Sequence, residues 1–494
     1  MKAFGKFITL VVIALALSFA FAACGNNDDP VDTGVQPSDV VPPPADIDDG
    51  DGSAVPAEET PAISGIHAPR DLGGRTIIVA SDWGNAMPFA RIGYDEPDPA
   101  TAGNYAEDRL LWENTNRVLR EFNVNVEFNV ISDDMMGVTT ASIMAGDPVG
   151  DAIFLGGGQV LSAIMGDLIR PLSIIDLPGS DLFGPQTYAA INVEAFGEPW
   201  AWYYQMISPH IWFMTVNLDI INAAGVPNPV DLYNAGQWTW NAALDIMRTV
   251  TRDTTGDGLF DQWGLAGQPV DIFLHFLASN DAPMVDDDLN YAFDNPRTIE
   301  TMEFMETIFR EGLWQYDPVS GPDPGDWNAN FWAPHAGQAA LFPGVLWGIG
   351  GLGFEYAVVP FPTGPSNYSG SAWSVGWGGG LTIPHGSRWD PAEILMVSEE
   401  FLTWHSGHEH IQAELGLGWA RGTFLTEEDV QRWASLNARS RTDIGRVVPY
   451  YEWVLGDFTG AFISQEMTVL QAVEAFRPER QEILDMFFGD FDGF

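Results

Sequence analysis

The most regular alternation of hydrophobic and polar positions begins at residue 75. "RTIIVAS" (75–81) is a short β-branched run, and Leu111, Val118 and Phe122 then share one face of a helix predicted over 104–122. "VNVEFNVI" (124–131) alternates with period two, so it predicts a strand. A helical "MMGVTTASIMAG" (135–146) and an apolar strand "DAIFLGGG" (151–158) follow. Strand, helix, strand, helix, strand implies right-handed crossovers and a doubly wound parallel sheet in an α/β fold. Ligands on such sheets sit at the carboxyl ends of strands, which places "SDWGN" (81–85) and "GGGQ" (156–159) at a cleft. The glycine run lacks both GxGxxG spacing and an acidic partner, so it does not read as a dinucleotide site.

A different pattern precedes this rhythm. Lys2 and Lys6 are followed by a nearly unbroken apolar run from Phe7 to Ala23, the layout of a secretory signal. The sequence Phe21-Ala22-Ala23-Cys24 resembles a bacterial lipobox, although leucine is commoner where Phe21 stands. In a lipobox the cysteine sulfur receives a diacylglyceryl group and becomes the new N-terminus. Buried acyl chains contribute about 0.8 kcal/mol per CH₂, enough for several chains to hold a domain on a membrane. An ordinary signal with a stray cysteine, or an uncleaved anchor, is the other reading. Residues 25–65 carry ten Asp or Glu, seven Pro and no basic residue, with too few large apolar side chains for a core. They read as a disordered acidic tether spanning roughly 35 Å.

Composition then narrows the chemistry. The formal charge is −47, both lysines lie in the signal, and 19 arginines are all that remain of Lys and Arg. Such a surface repels nucleic acid. Without lysine there is no Walker A loop, pyridoxal Schiff base or Ser-x-x-Lys nucleophile. Cys24 is the only cysteine, which removes disulfides, thiolate metal sites and cysteine catalysis from the folded part. No second apolar run is long enough to cross a bilayer.

An ordered set of stretches carries a resemblance. "ASIMAGDPVGDAIFLGGG", "FMTVNLDIINAAGVPNP", "GQWTWNAALDIMRTVTRDTTGDGLFDQWGL", "AGQAALFPGVLWGI", "FEYAVVPFPTGP", "SVGWGGGLTIPHGS" and "PAEILMVSEEFLTW" follow one another within residues 70–480. In that order they resemble an extracellular solute-binding protein of an ABC importer, in the sugar-binding, maltose-binding-protein-like family 1. One departure is Val216-Asn217-Leu218, where relatives carry Tyr-Asn-Lys. The resemblance implies a two-lobe, type II-like periplasmic-binding-protein fold with three interlobe crossings, near 205–210, 373–377 and 424–427. Lobe 1 is then expected at 66–208 and 376–424, and lobe 2 at 209–375 and 425–494, closing on ligand by hinge motion.

Nineteen tryptophans are more than an ordinary domain of this length would hold, and flat aromatic rings suit the apolar faces of sugar rings. Position selects among them. Trp83 follows the first strand, Trp202 and Tyr203 precede the first crossing, Trp347 follows a lobe-2 strand, and Trp377 adjoins a later crossing. Trp238 and Trp240 start a helix and read as core. For polar contacts the candidates are Asp82, Gln159 and Asp271, the last because sugar-binding relatives place a ligand loop there.

"DTTGDGLFDQWG" (253–264) puts Asp253, Thr255, Asp257, the Leu259 carbonyl and Asp261 at EF-hand loop positions, a spacing that suits structural calcium. Position 12 is Gly264 rather than a bidentate Glu, and a plain Asp-Gly turn is the other reading. "HSGHEH" (405–410) fits neither HExxH nor HxxEH.

The expected protein is a lipid-anchored, monomeric carrier on the outer face of the bacterial cytoplasmic membrane. It takes a carbohydrate, hands it to ABC permease subunits, needs no cofactor and performs no bond chemistry. Aromatic clefts with acids also describe a cell-surface glycoside hydrolase, and a sensor or adhesin would use the same fold.

Overall fold

The period-two and period-3.6 runs between residues 75 and 158 become the elements they predict. Strand β1 (Arg75–Ser81) leads to helix α1 (Tyr105–Glu121), with Leu111, Val118 and Phe122 buried. Strand β2 (Val124–Val130) starts in buried-exposed alternation. Helix α2 (Met135–Met144) is capped by Asp134, whose carboxylate accepts the Gly137 N–H at 3.0 Å. Strand β3 (Ala152–Gly156) passes directly into helix α3 (Gly157–Met165), and a two-residue pair follows, β4 (Thr187–Tyr188) with β5 (Tyr203–Tyr204).

A second set of elements then begins. Strand β6 (Phe213–Asn217) is buried throughout, and Asn217 caps helix α4 (Leu218–Ala224) by accepting the Ile220 N–H at 3.2 Å. The missing lysine after Asn217 therefore leaves the start of this helix intact. Helices α5 (Pro229–Asn234) and α6 (Trp240–Val250), strand β7 (Trp263–Leu265), and helices α7 (Pro269–Ser279) and α8 (Pro296–Arg310) follow. Strands β8 (Ala339–Gly344) and β9 (Tyr356–Val359) complete this set. Trp238 and Trp240 are core, their indole N–H groups donating to the Pro360 carbonyl and to Ser279 Oγ. Strand β10 (Gly379–Thr382) and helix α9 (Pro391–Leu402) belong again with the first set. Helices α10 (Glu427–Asn437), α11 (Trp453–Ser464) and α12 (Val469–Phe488) end the chain's described order.

These elements come from a computed structural model that describes residues 65–82, 96–98, 105–131, 134–175, 187–188, 199–204, 211–315, 337–370, 379–402, 417–437, 439, 445, 448 and 453–489. The chain divides into two units, Met1–Thr60 and Pro61–Phe494, and every described residue lies in the second. The signal, Cys24, the lipobox and nearly all of the acidic tether fall outside the described residues, as do residues 205–210, 373–377 and 405–410.

Two four-stranded sheets organise the fold, in the orders β10-β3-β1-β2 and β7-β8-β6-β9. Strands β1, β2 and β3 are parallel as expected, but β10 is antiparallel to β3. It arrives from a distant part of the chain, without a crossover helix from β3 to impose direction. In the second sheet β6 is antiparallel to both β8 and β9, and only β7 and β8 run together. Both sheets are therefore mixed, which corrects the wholly parallel expectation. Residues 417–423 are helical, and Ala420 and Phe424 share a core with Phe213 and Trp433. The expected boundary at 424 assigns them to the first lobe, whereas their packing ties them to the second sheet.

Among the described residues, several buried charged groups are held by opposite charges. Glu399 and Glu400, on α9, are each 1% exposed. Glu399 meets His67 Nε2 at 2.6 Å, and Glu400 accepts from Arg117 and from the His67 N–H. On edge strand β9, Asp429 accepts the Val358 N–H at 2.9 Å and Arg432 Nε donates to its carbonyl at 2.8 Å. This fork satisfies the peptide groups that an edge otherwise presents to other strands.

Trp202 is 1% exposed and sits in the core of the first sheet with Leu381, Ile394 and Phe401. Its N–H donates to the Leu381 carbonyl at 2.9 Å and its carbonyl accepts the Leu381 N–H at 2.6 Å. Replacing Trp202 by Ala should therefore lower stability by about 3–5 kcal/mol in urea unfolding, the range for emptying a large aromatic site. A change below about 1 kcal/mol would show that the ring lies elsewhere.

Candidate functional site

Parallel strands release their loops at one end of a sheet. In the first sheet Ser81 pairs with Val130, the Ile131 N–H donates to the Ser81 carbonyl at 2.9 Å, and Asp82 follows, exposed. Strand β3 ends alongside at Gly156, opposite Gly379 of β10. Gly156 is the extended N-cap of α3, and Gln159 in the first turn reaches back so that its Oε1 accepts the Gly156 N–H at 2.8 Å. Sequence-predicted Asp82 and Gln159 thus stand at the same end of one sheet. Trp202, predicted for the same wall, is core: its backbone bridges to Leu381 of β10 and its side chain joins the cluster that includes Ile394 and Phe401. The Tyr203 backbone pairs with Tyr188 in the small β4-β5 ribbon, while its side chain is outside the described residues, as are Trp83 and Trp377.

The second sheet presents a corresponding end. Strands β7 and β8 are parallel, and Phe213 at the start of antiparallel β6 pairs with Gly344 at the finish of β8. Past β8 the chain makes a single 3-10 turn (Leu346–Gly348) that leaves Trp347 39% exposed. Past β7 it enters α7, with Asp271 in the first turn and 8% exposed. Trp347 and Asp271 therefore leave the sheet on the same side, each after a strand of the parallel pair.

Behind Asp271 lies an aromatic stack that sequence reasoning missed. His275, one helical turn on, is fully buried, and its Nδ1–H donates to the Asp271 carbonyl at 2.7 Å. Its ring lies 5.5 Å from Trp212 and 4.9 Å, stacked, from Phe361. Trp314 joins this end by donating its indole N–H to the Gly267 carbonyl at 2.9 Å. Trp212 was within reach of the rule that selected Trp202: it is the first tryptophan after the expected crossing at 205–210.

The loop with calcium-like spacing is exposed and closes on itself. Asp253 accepts the N–H groups of Thr255, Gly256 and Gly258, at 3.0, 2.6 and 2.7 Å. Asp261 accepts the N–H and hydroxyl of Thr254, and Asp257 accepts the Leu259 N–H at 2.9 Å. Backbone donors, Gly258 foremost and then Gly256, hold the Asp253 carboxyl below its ordinary range, and Thr254 does the same for Asp261. No cluster of three or more His, Cys, Asp or Glu side chains placed to hold a metal occurs among the described residues. The arrangement is that of a self-supporting Asp-Gly turn.

Residues 105–410, more than half of the chain, match the family profile described as "Bacterial extracellular solute-binding protein". No curated protein matches by sequence. Among solved structures, the maltose/maltodextrin-binding domain MalE from Bdellovibrio bacteriovorus, bound to maltotriose, superposes with a TM-score of 0.54 at 14% identity. That match covers 84% of this chain and 100% of the other. The cyclic α-maltosyl-1,6-maltose binding protein from Arthrobacter globiformis gives 0.57 at 14% identity, covering 83% and 98%. The GacH receptor of Streptomyces glaucescens, solved unliganded and with acarbose, gives 0.54 at 15% identity, covering 83% and 99%. At these identities the likeness is one of fold, the two-lobe architecture of solute-binding proteins. With its two mixed α/β sheets and the family match, the chain belongs to the bacterial extracellular solute-binding proteins.

Proposed function

We propose that this protein is the lipid-anchored, substrate-binding component of an ABC importer, capturing a carbohydrate between its two lobes and delivering it intact to permease subunits. The observation that carries this reading is the half-exposed indole of Trp347 at the end of the parallel pair β7-β8, on the side where Asp271 begins α7. An aromatic face with nearby polar groups is the combination that holds a sugar ring. Structural relatives crystallised with maltotriose and with acarbose support the ligand class. Asp82 and Gln159 would supply polar contacts from the first sheet, and Asp271 from the second. Trp83, Tyr203 and Trp377 remain candidates by position alone.

A ligand touching both lobes favours the closed arrangement by its extra affinity for it, and the permease would recognise that closed form. The lobe limits at 66–208 with 376–424, and 209–375 with 425–494, stand as part of this proposal, adjusted for the packing of residues 417–424. Catalysis is not part of the reading. The family and its solved relatives are described as binding proteins. Attachment through lipidated Cys24 and the acidic tether would keep a monomeric receptor on the outer face of the membrane, close to its permease.

Three outcomes are expected. Calorimetric titration of the full chain in detergent with a panel of maltodextrins and other oligosaccharides should find a ligand that chromatography recovers uncut. Trp347→Ala should weaken that ligand's binding about 5- to 50-fold while leaving the melting temperature within about 2 °C, as expected for loss of one exposed stacking face. Cleaved product would turn the reading towards a hydrolase. Second, Cys24→Ala should abolish incorporation of labelled palmitate and release the protein into the medium or periplasm; continued membrane retention with no label would leave only an uncleaved anchor. Third, calcium at the 253–261 loop is treated as dispensable, because its carboxylates are occupied by N–H groups. EDTA should leave the melting temperature unchanged, and protection of the Gly258 amide should persist until pH falls below the ordinary Asp range near ~3.9, since a lowered carboxyl pKa stabilises only while the group is ionised. A drop of several degrees with EDTA would restore the calcium reading.

A further inference from the structure

The carboxamide of Gln159 has a fixed direction, and that direction sets what it offers a solute. The N–H of Gly156, the N-cap of α3, donates to the side chain of Gln159 at N3, whose Oε1 lies 2.8 Å away. Only one amide orientation is compatible with this contact. Turning the carboxamide over would set an NH₂ against an N–H, two donors facing each other. One lone pair of Oε1 is therefore committed to the protein, and this contact fixes which way Nε2 points. The side chain is half-buried, and no bond from its Nε2 is made among the described residues. Nε2 presents a donor pair at the end of β3, beside the strand that delivers Asp82.

From this arrangement we propose that Gln159 is a specificity-determining donor: one lone pair of its Oε1 locks the Gly156 turn, and its Nε2 donates to an acceptor oxygen of the bound sugar. The inference rests on the carbohydrate-binding reading and sharpens it. The carboxylate of Asp82 supplies acceptor oxygens, while the Nε2 of Gln159 supplies donors. The two side chains together match a solute with adjacent donor and acceptor oxygens, as sugar hydroxyls and ring or glycosidic oxygens are. They disfavour a solute that presents acceptors alone, such as a phosphate or carboxylate, which Asp82 would repel.

Substituting Glu for Gln separates the two roles. Gln159→Glu keeps an oxygen for the Gly156 N–H, and a carboxylate in the first turn of a helix is favoured by the helix dipole. It removes the donor. Gln159→Ala removes both. In the full chain, with maltotriose as the first probe and the oligosaccharide panel behind it, Gln159→Glu should bind roughly tenfold or more weakly, the scale of one net hydrogen bond. Its melting temperature and the exchange protection of the Gly156 amide should stay at wild-type values. Gln159→Ala should lose both the affinity and the protection. Wild-type affinity in Gln159→Glu would overturn the donor role. Equal Gly156 protection in wild type and Gln159→Ala would overturn the fixed amide direction, a result read without any ligand. If the wild-type chain binds no sugar of the panel, the carbohydrate reading fails, and the donor role fails with it; the exchange measurement still decides the orientation separately.

Discussion

Three neighbouring strands that point the same way cannot be joined by hairpins, and this constraint underlies the site. Each of β1, β2 and β3 must return through a helix, and the hand of those returns is set by strand twist. All three strands therefore release their chain at one end of the sheet. Asp82 and the Gly156–Gln159 turn are neighbours for that reason, although 77 positions separate Asp82 from Gln159 in the chain. The second sheet reaches the same result differently. Its β7 and β8 are parallel, and the start of antiparallel β6 meets their carboxyl ends, so Trp212, Trp347 and the beginning of α7 gather there.

Glycine at these ends serves close approach. A Cβ on Gly380 would come within 2.9 Å of the Trp202 backbone, and one on Gly344 within 2.3 Å of Thr215 Oγ1. Only a residue without a side chain lets the Trp202 segment bond to β10, and lets the end of β8 lie on β6. Gly380 and Gly344 thus mark places where backbones meet at the end of a sheet. The same contact explains why Trp202 is core. Once the segment at 202 is bonded to Leu381, its indole points into the layer between that sheet and α9.

Much of the first sheet was legible because its strands and helices carry clean periods. β1 matches its predicted run end for end, and the buried face of α1 follows Leu111 and Val118. The second sheet was not legible in that way. Strand β6 is buried at all five positions, so no alternation distinguishes it from a helix, and only the family resemblance placed it. The direction of β10 was hidden for another reason: its partner β3 lies more than 200 residues earlier, and local sequence carries no signal of which way a distant strand will dock. At the candidate site, position after a strand selected Asp82 and Trp347, the family resemblance selected Asp271, and placement before a crossing selected Trp202; none of these signals separates Trp347, half-exposed, from Trp202, buried. The 253–261 loop shows a further limit. Carboxylate spacing suited to a cation also suits a ring of N–H donors, and the choice depends on backbone geometry.

Scarcity of positive charge makes the placement of each basic group informative. With a formal charge of −47, a cation exposed on the surface would rarely lack an acidic neighbour, so surface pairing contributes little. Several basic groups instead fasten the first described residues to the body. His67 meets Glu399 and Glu400, Arg70 and Arg75 both reach Glu393, and Arg75 stacks on Trp389 at 4.7 Å. Leu72 then enters the core, its N–H bonded to the Phe122 carbonyl. Burying Glu399 and Glu400 without partners would be strongly unfavourable, and this drives residues 67–75 to stay against α9 and α1. The folded body thus begins at a definite point on its surface.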